Sequence, residues 1–287
     1  GYDATDHAGN VHLIEDAAIG DALAFLIDNV PSQLRLTLAS RSDPLLPLAR
    51  LRTRGELTEL RAADLRFTPE EAASFLNQAM GLTLSPDDVT ALETRTEGWI
   101  AGLQLAALSM REQSDIPAFI ADFAGSNRFV IDYLIEEVLH RASHDVREFL
   151  CQTSILDRLS GPLCDAVTGQ KGGAEMLEAL DRANLFVVPL DDRRQWYRYH
   201  HLFADVLQSR LLAHGPEYEA ALHVRASEWL EHNDAPDEAV GHALAASDYP
   251  RAARLIEAAI TGVRKSRQDA QLLRWLAQLP EETVGRM

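Results

Sequence analysis

Two stretches of this sequence contain charged or titratable residues, which could bind a ligand or take part in catalysis, next to a predicted strand or helix that would position them. The run LTLASRSDP (36–44) ends an apolar, strand-like segment in Arg41. An arginine at the end of a buried strand is costly unless an anion pairs with it, so this pattern suggests a phosphate site, such as that of a nucleotide. The run YRYHHLFAD places His200 beside His201, with Asp205 one helical turn later. A histidine and a carboxylate at this spacing could act as an acid–base pair.

Each of these residues also has a structural interpretation. Arg41 could pair with Asp43 or face water, and the two histidines could be one packed and one solvated side chain at a strand-to-helix junction. No GxSxG elbow and no HExxH motif occurs, which counts against a hydrolase. An esterase-like hydrolase, with His200 or His201 as base in a cleft between the helical and winged-helix modules, is nevertheless kept as an alternative. No metal site is expected.

The middle of the chain contains repeated helix-start signals, which predict a series of helices. The runs TPEE (68–71) and SPDD (85–88) each place a hydroxyl N-cap before proline and an acidic residue three positions after the cap. This is a capping box with proline at the first helical position. The pattern predicts helices at 69–79, 86–95, 98–111, 116–123 and 126–141.

The next segment has the pattern of a winged helix. Three helical stretches, which begin near HDVREFL, PLCDAVT and GAEMLEA, precede a predicted β-hairpin in LFVVPLDDRRQWYRYH, with its turn at 191–194, and a closing helix. The last segment predicts helices at 217–232, 236–246, 249–260 and 268–279. Small residues at their contact positions are typical of tetratricopeptide-like repeats, although no clean repeat period is present.

The first segment has weaker signals. The sequence predicts an unstructured arm at residues 1–10 and one amphipathic helix at 11–30. It predicts a strand in LRLTLAS and a second short strand at 56–62, and between them a basic helix that ends near Gly55. The fold class is therefore mostly α with a minor β part. The predicted segments are 1–10, 11–66, a helical domain at 67–142, a winged helix at 143–214 and the start of a helical array at 215–287.

The composition limits the possible functions. The formal net charge of −17 disfavours general binding to nucleic acid. Two cysteines without a CxxC pattern, no signal-peptide pattern and no apolar run of bilayer length predict a cytoplasmic protein that does not contact a membrane.

Several long stretches in order resemble one family. The runs LTLASRSDPLLPLARLRTRGELTELRAADLRFTPEEAASFL, TRTEGWIAGLQLAAL, FLCQTSILDRLSGPLCDAVTG and ANLFVVPLDDRRQWYRYHHLFADVLQSRL are similar to the MalT-type, large LuxR-family transcriptional activators of the STAND class of signal-transducing ATPases. The resemblance implies an interior segment: the remnant of the ATPase core (11–66), the helical domain, the winged helix and the first repeats. It also implies that the winged helix packs within the protein instead of binding DNA.

The resemblance also sets expectations for catalysis. The family binds ATP or ADP, but the P-loop signature GxxxxGK[ST] is absent, and Gly9-Asn10 stand where the family has two Walker-B acids. ATP hydrolysis and a bound nucleotide are therefore not expected. The expected role is a non-catalytic regulatory and interaction module, and its partners would be other domains of the parent regulator or a second copy bound through the helical repeats.

The same resemblance assigns ancestral nucleotide contacts. It matches Arg41 with a sensor arginine that reaches the γ-phosphate, and His200 with a histidine that contacts the ADP β-phosphate in related NB-ARC proteins. It places Trp99 beside the adenine, although an anchor at the start of a buried helix is an equally good interpretation of Trp99. A weak ADP or ATP site at these three residues is the second alternative.

Overall fold

The structure, a computed structural model, describes residues 4–8, 16–31, 33–40, 43–111, 115–123, 128–140, 142–266, 269–280 and 283. It divides into two compact units. The first unit comprises Gly1–Arg66 with Ala179–Phe186, and the second comprises Phe67–Glu178 with Val187–Met287. The predicted division into five segments is finer than this and stays a prediction.

The first unit contains a two-stranded parallel sheet. Strand β1 (Ala4–Ala8) pairs with β2 (Leu34–Leu38), and α1 (Ala17–Asp28) connects them. The prediction of an unstructured arm at 1–10 is therefore wrong for β1. Its partner lies beyond α1 in the chain, and local periodicity does not reveal such a partner.

Two further predictions for this unit can be compared with the structure. Helix α1 begins later than expected, because the Asp16 side chain accepts a hydrogen bond from the Ala18 amide at 2.8 Å and caps the helix there. Helix α2 (Leu48–Arg54) ends at Gly55, which has a φ of 69°, and the predicted basic helix is confirmed.

The predicted strand at 56–62 is wrong. Residues 57–61 form no strand, and a short 3₁₀ turn follows at Ala62–Leu65. Side-chain ion pairs hold this segment instead of a β-ladder. Glu59 accepts hydrogen bonds from Arg52 at 2.5 Å and from Arg61 at 3.0 Å, and Arg61 also donates to Asp43 at 2.5 Å.

The second unit is mainly helical. Capping boxes at Thr68 with Glu71 and at Ser85 with Asp88 are confirmed, and they start the first two helices. The helices before the winged helix are α3 (Pro69–Ser74), continued by a π-helical turn (Phe75–Ala79), α4 (Pro86–Thr96), α5 (Ile100–Met110), α6 (Ile116–Asp122) and α7 (Arg128–Leu134), continued by a second π-helical turn (Ile135–Leu139).

The winged-helix pattern is also present. Its elements are α8 (His144–Thr153), α9 (Gly161–Thr168), α10 (Gly173–Arg182), β3 (Val187–Pro189), β4 (Tyr197–Tyr199) and α11 (His201–Leu211). Strands β3 and β4 are antiparallel, and the Asp191 carboxylate accepts the amides of Gln195 and Trp196 in the turn between them. The hairpin prediction is confirmed.

In the described residues from Pro216 onward, four helices follow: α12 (Pro216–His232), α13 (Pro236–Ala245), α14 (Tyr249–Ser266) and α15 (Asp269–Leu276). The core of the unit runs through the helical module and the winged helix, where Leu103, Leu150 and Phe203 are fully buried. The fold is mostly α with a minor β part, as predicted. Within the described residues, no helix has the length and apolar character needed to cross a membrane.

Candidate functional site

The loop between α4 and α5 has an unusual backbone. Glu97 adopts a φ of 50° and Gly98 a φ of 69°, so two successive residues occupy the left-handed region. The Gly98 carbonyl accepts a hydrogen bond from the Phe67 amide at 2.8 Å. This conformation ends α4, and α5 begins immediately after Trp99.

The second part of the site is the junction of β4 with α11. Tyr197 and Tyr199 are buried, and Arg198 between them points to the opposite side of the strand. His200 is extended, and α11 begins at His201 without a capping hydrogen bond from the His200 side chain.

The Glu97 carboxylate joins these two parts. Its side chain is 7 % exposed, and it accepts hydrogen bonds from both terminal nitrogens of Arg198, at 2.7 and 2.8 Å. It also accepts the His201 backbone amide at 3.1 Å, and the His201 Nδ1 lies 3.5 Å away. Glu97 thus supplies the cap that α11 lacks, and its negative charge lies at the positive end of the helix dipole. We call Glu97, Trp99, Arg198, His200 and His201 the Glu97 junction.

The charge of Glu97 is strongly favoured in this setting. Burial alone raises the pKa of the carboxyl group, but the Arg198 hydrogen bonds, the nearby His200 and the His201 amide lower the pKa to about 2. Glu97 therefore stays ionised at any pH near neutrality, and the junction contains a permanent, bidentate ion pair.

His200 and Trp99 pack in the interior of the junction. His200 is 5 % exposed, and its Nε2 donates to the Thr96 carbonyl at 3.0 Å. The Trp99 ring meets the His200 ring edge-on, with centroids 5.9 Å apart. A Cβ on Gly102 would lie 2.8 Å from the Trp99 ring, so the glycine makes room for the indole.

The structure therefore brings together three of the residues singled out from the sequence: Trp99, His200 and His201. Asp205 is half-buried one turn further along α11, and the described ion pair of His201 is with Glu97 and not with Asp205. Arg41 lies outside the described residues, and its predicted partner Asp43 is bound by Arg61. The roles assigned to these residues stay predictions.

Sequence reasoning missed the two residues that organise the site. Glu97 begins the EGWIAGL motif and Arg198 lies within YRYH, but the two are 101 positions apart. The available signal was a glutamate directly before a glycine at the C-terminal end of a helix, where the helix dipole disfavours a negative charge. Nothing in that signal names Arg198 as the partner.

Three side chains of this unit carry a proton on an atom that would otherwise act as a base or nucleophile. The His200 Nε2 carries a proton directed at a carbonyl oxygen, so this nitrogen has no lone pair, and in the neutral ring the lone pair is on Nδ1. Burial raises the pKa of Cys151, and it raises the pKa of Cys164 to about 12, so both thiols are protonated near neutrality. Among the described residues, no three His, Cys, Asp or Glu side chains are grouped to hold a metal ion.

Comparisons with known proteins show which proteins this chain is similar to. Residues 135–219 match the MalT winged helix domain. The chain is 40 % identical over 273 residues, 95 % of its length, to the serine/threonine-protein kinase PknK of Mycobacterium tuberculosis, and covers 25 % of that protein. It is 36 % identical over 243 residues to the HTH-type transcriptional regulator MalT of Klebsiella pneumoniae and 34 % identical over 240 residues to that of Vibrio campbellii, covering 83 % of this chain and 26 % of each relative.

The chain thus spans about a quarter of the length of the curated relatives it matches. The matched winged helix contains β4 and α11, which supply Arg198, His200 and His201 to the Glu97 junction. By this match, residues 135–219 belong to the MalT winged-helix domain family, and most of the chain is similar to a segment of MalT-type regulators and of PknK.

Proposed function

We propose that this chain is a non-catalytic regulatory module of a LuxR-family transcriptional regulator of the STAND class. In this proposal the winged helix works by packing against its neighbours within the protein. A regulator of transcription acts in the compartment that holds the DNA, so the cytoplasmic location predicted from the sequence belongs to the same proposal.

The observation that carries the proposal is the buried ion pair of the Glu97 junction. It links the end of α4 in the helical module to the end of the wing strand β4 and to the start of α11. Burying an ion pair costs desolvation energy, so such a pair contributes more to selecting one arrangement of the packed parts than to net stability. It is therefore suited to hold the winged helix in one defined position on the helical module.

A second contact ties the winged helix to the helices that follow it. The Arg158 guanidinium donates to both Glu238 oxygens, at 3.0 and 2.5 Å, and lies 4.3 Å from the centre of the Trp196 ring. Arg158 precedes α9 and Glu238 lies on α13. Charged contacts on both sides support a winged helix that relays a change between its neighbours.

The surface charge argues against DNA reading by this winged helix. The helix before the wing, α10, has the sequence GAEMLEALDR, with three acidic residues and one arginine. In a winged helix that enters the major groove, such a helix would meet phosphate oxygens of like charge. The net charge of −17 acts in the same direction.

The proposal is tested in the complete regulator that carries this segment. We expect Glu97→Gln to change the set and level of transcripts measured by RNA sequencing at unchanged protein abundance. Glu70→Gln is the matched control, because Glu70 is exposed in the first turn of α3. A transcript profile identical for Glu97→Gln and the unsubstituted protein would refute a regulatory role of the junction.

Binding to DNA is tested on the chain itself by fluorescence anisotropy of a labelled duplex at low salt. We expect no saturable binding, and binding that weakens steeply with salt would contradict internal packing as the role of the winged helix. Sedimentation equilibrium tests self-association through α12–α15, the proposed start of a tetratricopeptide-like array.

The two alternatives have direct tests. Calorimetry with millimolar ADP and ATP tests the weak nucleotide site at Arg41, Trp99 and His200, and we expect no heat of binding. A panel of ester and phosphoester substrates, with His200→Ala and His201→Ala as controls, tests the hydrolase. Turnover abolished by either substitution would favour the hydrolase over the regulatory module.

A further inference from the structure

A pair of histidines lies between α12 and α13, away from the Glu97 junction. The Nδ1 of His223 and the Nδ1 of His242 are 2.7 Å apart, and the ring centroids are 5.0 Å apart. The His223 side chain is 12 % exposed, and His242 is half-buried. A hydrogen bond between these two nitrogens is the polar link across the helical hairpin at this level.

The 2.7 Å separation fixes the number of protons between the rings. One Nδ1 must donate its hydrogen, and the other must accept it with a lone pair. Two hydrogens cannot occupy this space. The neutral pair therefore contains one ring protonated at Nδ1 and one ring protonated at Nε2.

The surroundings decide where an added proton goes. Glu219 Oε1 lies 3.9 Å from the Nε2 of His223, so a proton on that nitrogen gains a carboxylate partner. A cavity of about 370 Å³, lined by Glu217, Glu219 and His223 among others, lies beside it and gives solvent access. Protonated His223 still donates from its Nδ1 to neutral His242, so the first added proton leaves the hydrogen bond intact.

A second proton has a different effect. The remaining lone pair of His242 is the one that accepts the hydrogen bond, so protonation there removes the bond and leaves two cationic rings in contact. Several charged groups on the packed helices are engaged elsewhere: Glu238 with Arg158, Arg251 with Glu231 and Ser227, and Asp165 with the Gly173 amide. Glu217 lines the cavity beside His223. Among the described carboxylates, Glu219 is the one within 4 Å of either ring, and it lies on the Nε2 side of His223, away from His242.

We propose that the His223–His242 pair is a proton-operated lock on the α12–α13 hairpin, which tolerates one added proton and is released by the second. The lock acts on the helices that follow the winged helix, and its residues are not those of the Glu97 junction.

The titration of the two rings agrees in direction with this geometry. Burial lowers the pKa of His223, and burial together with the neighbouring His223 lowers the pKa of His242 from 6.5 to about 4. Since the unfolded hairpin binds its protons at higher pH than the folded one, stability is present above pH 6.5 and is lost as the pH falls toward 4. The Glu97 carboxyl, with a pKa of about 2, titrates below this range.

The experiment combines ring nitrogen spectra with amide exchange on the whole chain. Two-dimensional ¹⁵N spectra report the protonation of each ring, and amide protection factors report opening of α12–α13. Between pH 7 and pH 4 we expect the opening constant of the hairpin to rise on the order of 100-fold. His242→Gln, which cannot be protonated, should show a much smaller rise, from His223 alone, and His232→Gln at the exposed end of α12 should behave as the unsubstituted chain.

Two outcomes would overturn the proposal. One is a His242→Gln hairpin that loses protection over the same pH range as the unsubstituted chain. The other is a spectrum of the unsubstituted chain in which both rings are cationic while the protection of α12–α13 is unchanged. The second measurement needs no substitution, so it decides the matter even if His242→Gln fails to fold.

Discussion

Residues 16–66 and the residues from Phe67 onward bury their apolar side chains to different extents. Among the described residues of the first stretch, Leu51 is the one buried hydrophobic side chain. The same stretch exposes large apolar groups: Ile19, Phe25, Leu26, Leu34, Leu45, Leu60 and Leu65. The second stretch has a continuous core that includes Leu103, Leu150 and Phe203, each fully buried.

The difference shows two ways of holding a segment in place. The first stretch relies on exposed ion pairs, such as Arg50 with Asp28 at 2.7 Å and Arg61 with Asp43 at 2.5 Å. Exposed pairs contribute at most about 1 kcal/mol each. The second stretch relies on buried area, which dominates the stability of a fold. We therefore expect the same chemical change to have very different effects in the two stretches.

The largest expected contrast comes from one substitution made in both stretches. Phe203→Ala removes a fully buried ring from α11 and should lower the free energy of unfolding by about 3–5 kcal/mol. Phe25→Ala removes a ring that is 71 % exposed on α1 and should change it by less than about 0.5 kcal/mol. Urea unfolding followed by circular dichroism measures both. Equal losses would show that the contrast in burial has no energetic meaning.

Ion pairs give the next contrast. Glu97→Gln leaves Arg198 without its carboxylate in a largely buried place and should cost about 2 kcal/mol. Glu59→Gln weakens an exposed pair with Arg52, which solvent screens, and should cost much less than Glu97→Gln. Urea unfolding at neutral pH and moderate salt measures both. A larger loss for Glu59→Gln would reverse the assignment of the two mechanisms.

Added methyl groups make a smaller but sharper test within the second stretch. Gly102→Ala places a Cβ 2.8 Å from the Trp99 ring and 3.2 Å from Thr96, so we expect a loss of about 1–3 kcal/mol. Gly241→Ala on α13 meets nothing within 4 Å and should gain about 1 kcal/mol from helix propensity. Thermal unfolding measures both. A stabilising Gly102→Ala would mean that Trp99 is free to move away.

Acid gives the smallest of the four effects. The pKa of Glu97 is lowered from 4.5 to about 2, so its contribution is complete above pH 4.5 and is lost as the pH falls toward 2. We expect about 1 kcal/mol of acid-dependent stability from this group, since the Arg198 partner is a quarter exposed and solvent screens the pair. Unfolding curves between pH 5 and pH 2.5 measure it. In Glu97→Gln this part of the pH dependence should disappear, and its persistence would assign the effect to other carboxylates.

The sequence predicted elements whose signals are local. The caps at Thr68 and Ser85 act within three residues, and the hairpin turn depends on Asp191 and the residues just after it. Each of these structures is decided by contacts within one turn of chain. For the same reason the helices of the second unit lie within a few residues of their predicted positions, although α14 extends to Ser266 instead of ending at 260.

Elements that depend on distant partners could not be predicted in the same way. Strand β1 exists because β2 pairs with it, and the segment at 57–61 is no strand because arginine and carboxylate side chains take the place of a ladder. The Glu97 junction has the same character. Trp99 and His200 were singled out by resemblance, whereas the ion pair that organises them joins two residues with no local sequence relation.

The separation of Glu97 and Arg198 has a consequence for the order of folding. Their contact closes a loop of 101 residues. The chain must lose the conformational entropy of that loop before the ion pair can contribute any stabilising free energy. Such a contact belongs to the last steps of assembly. Loss of the carboxylate should therefore accelerate unfolding and leave the rate of refolding nearly unchanged, so the junction determines how long the winged helix stays in place once it has docked.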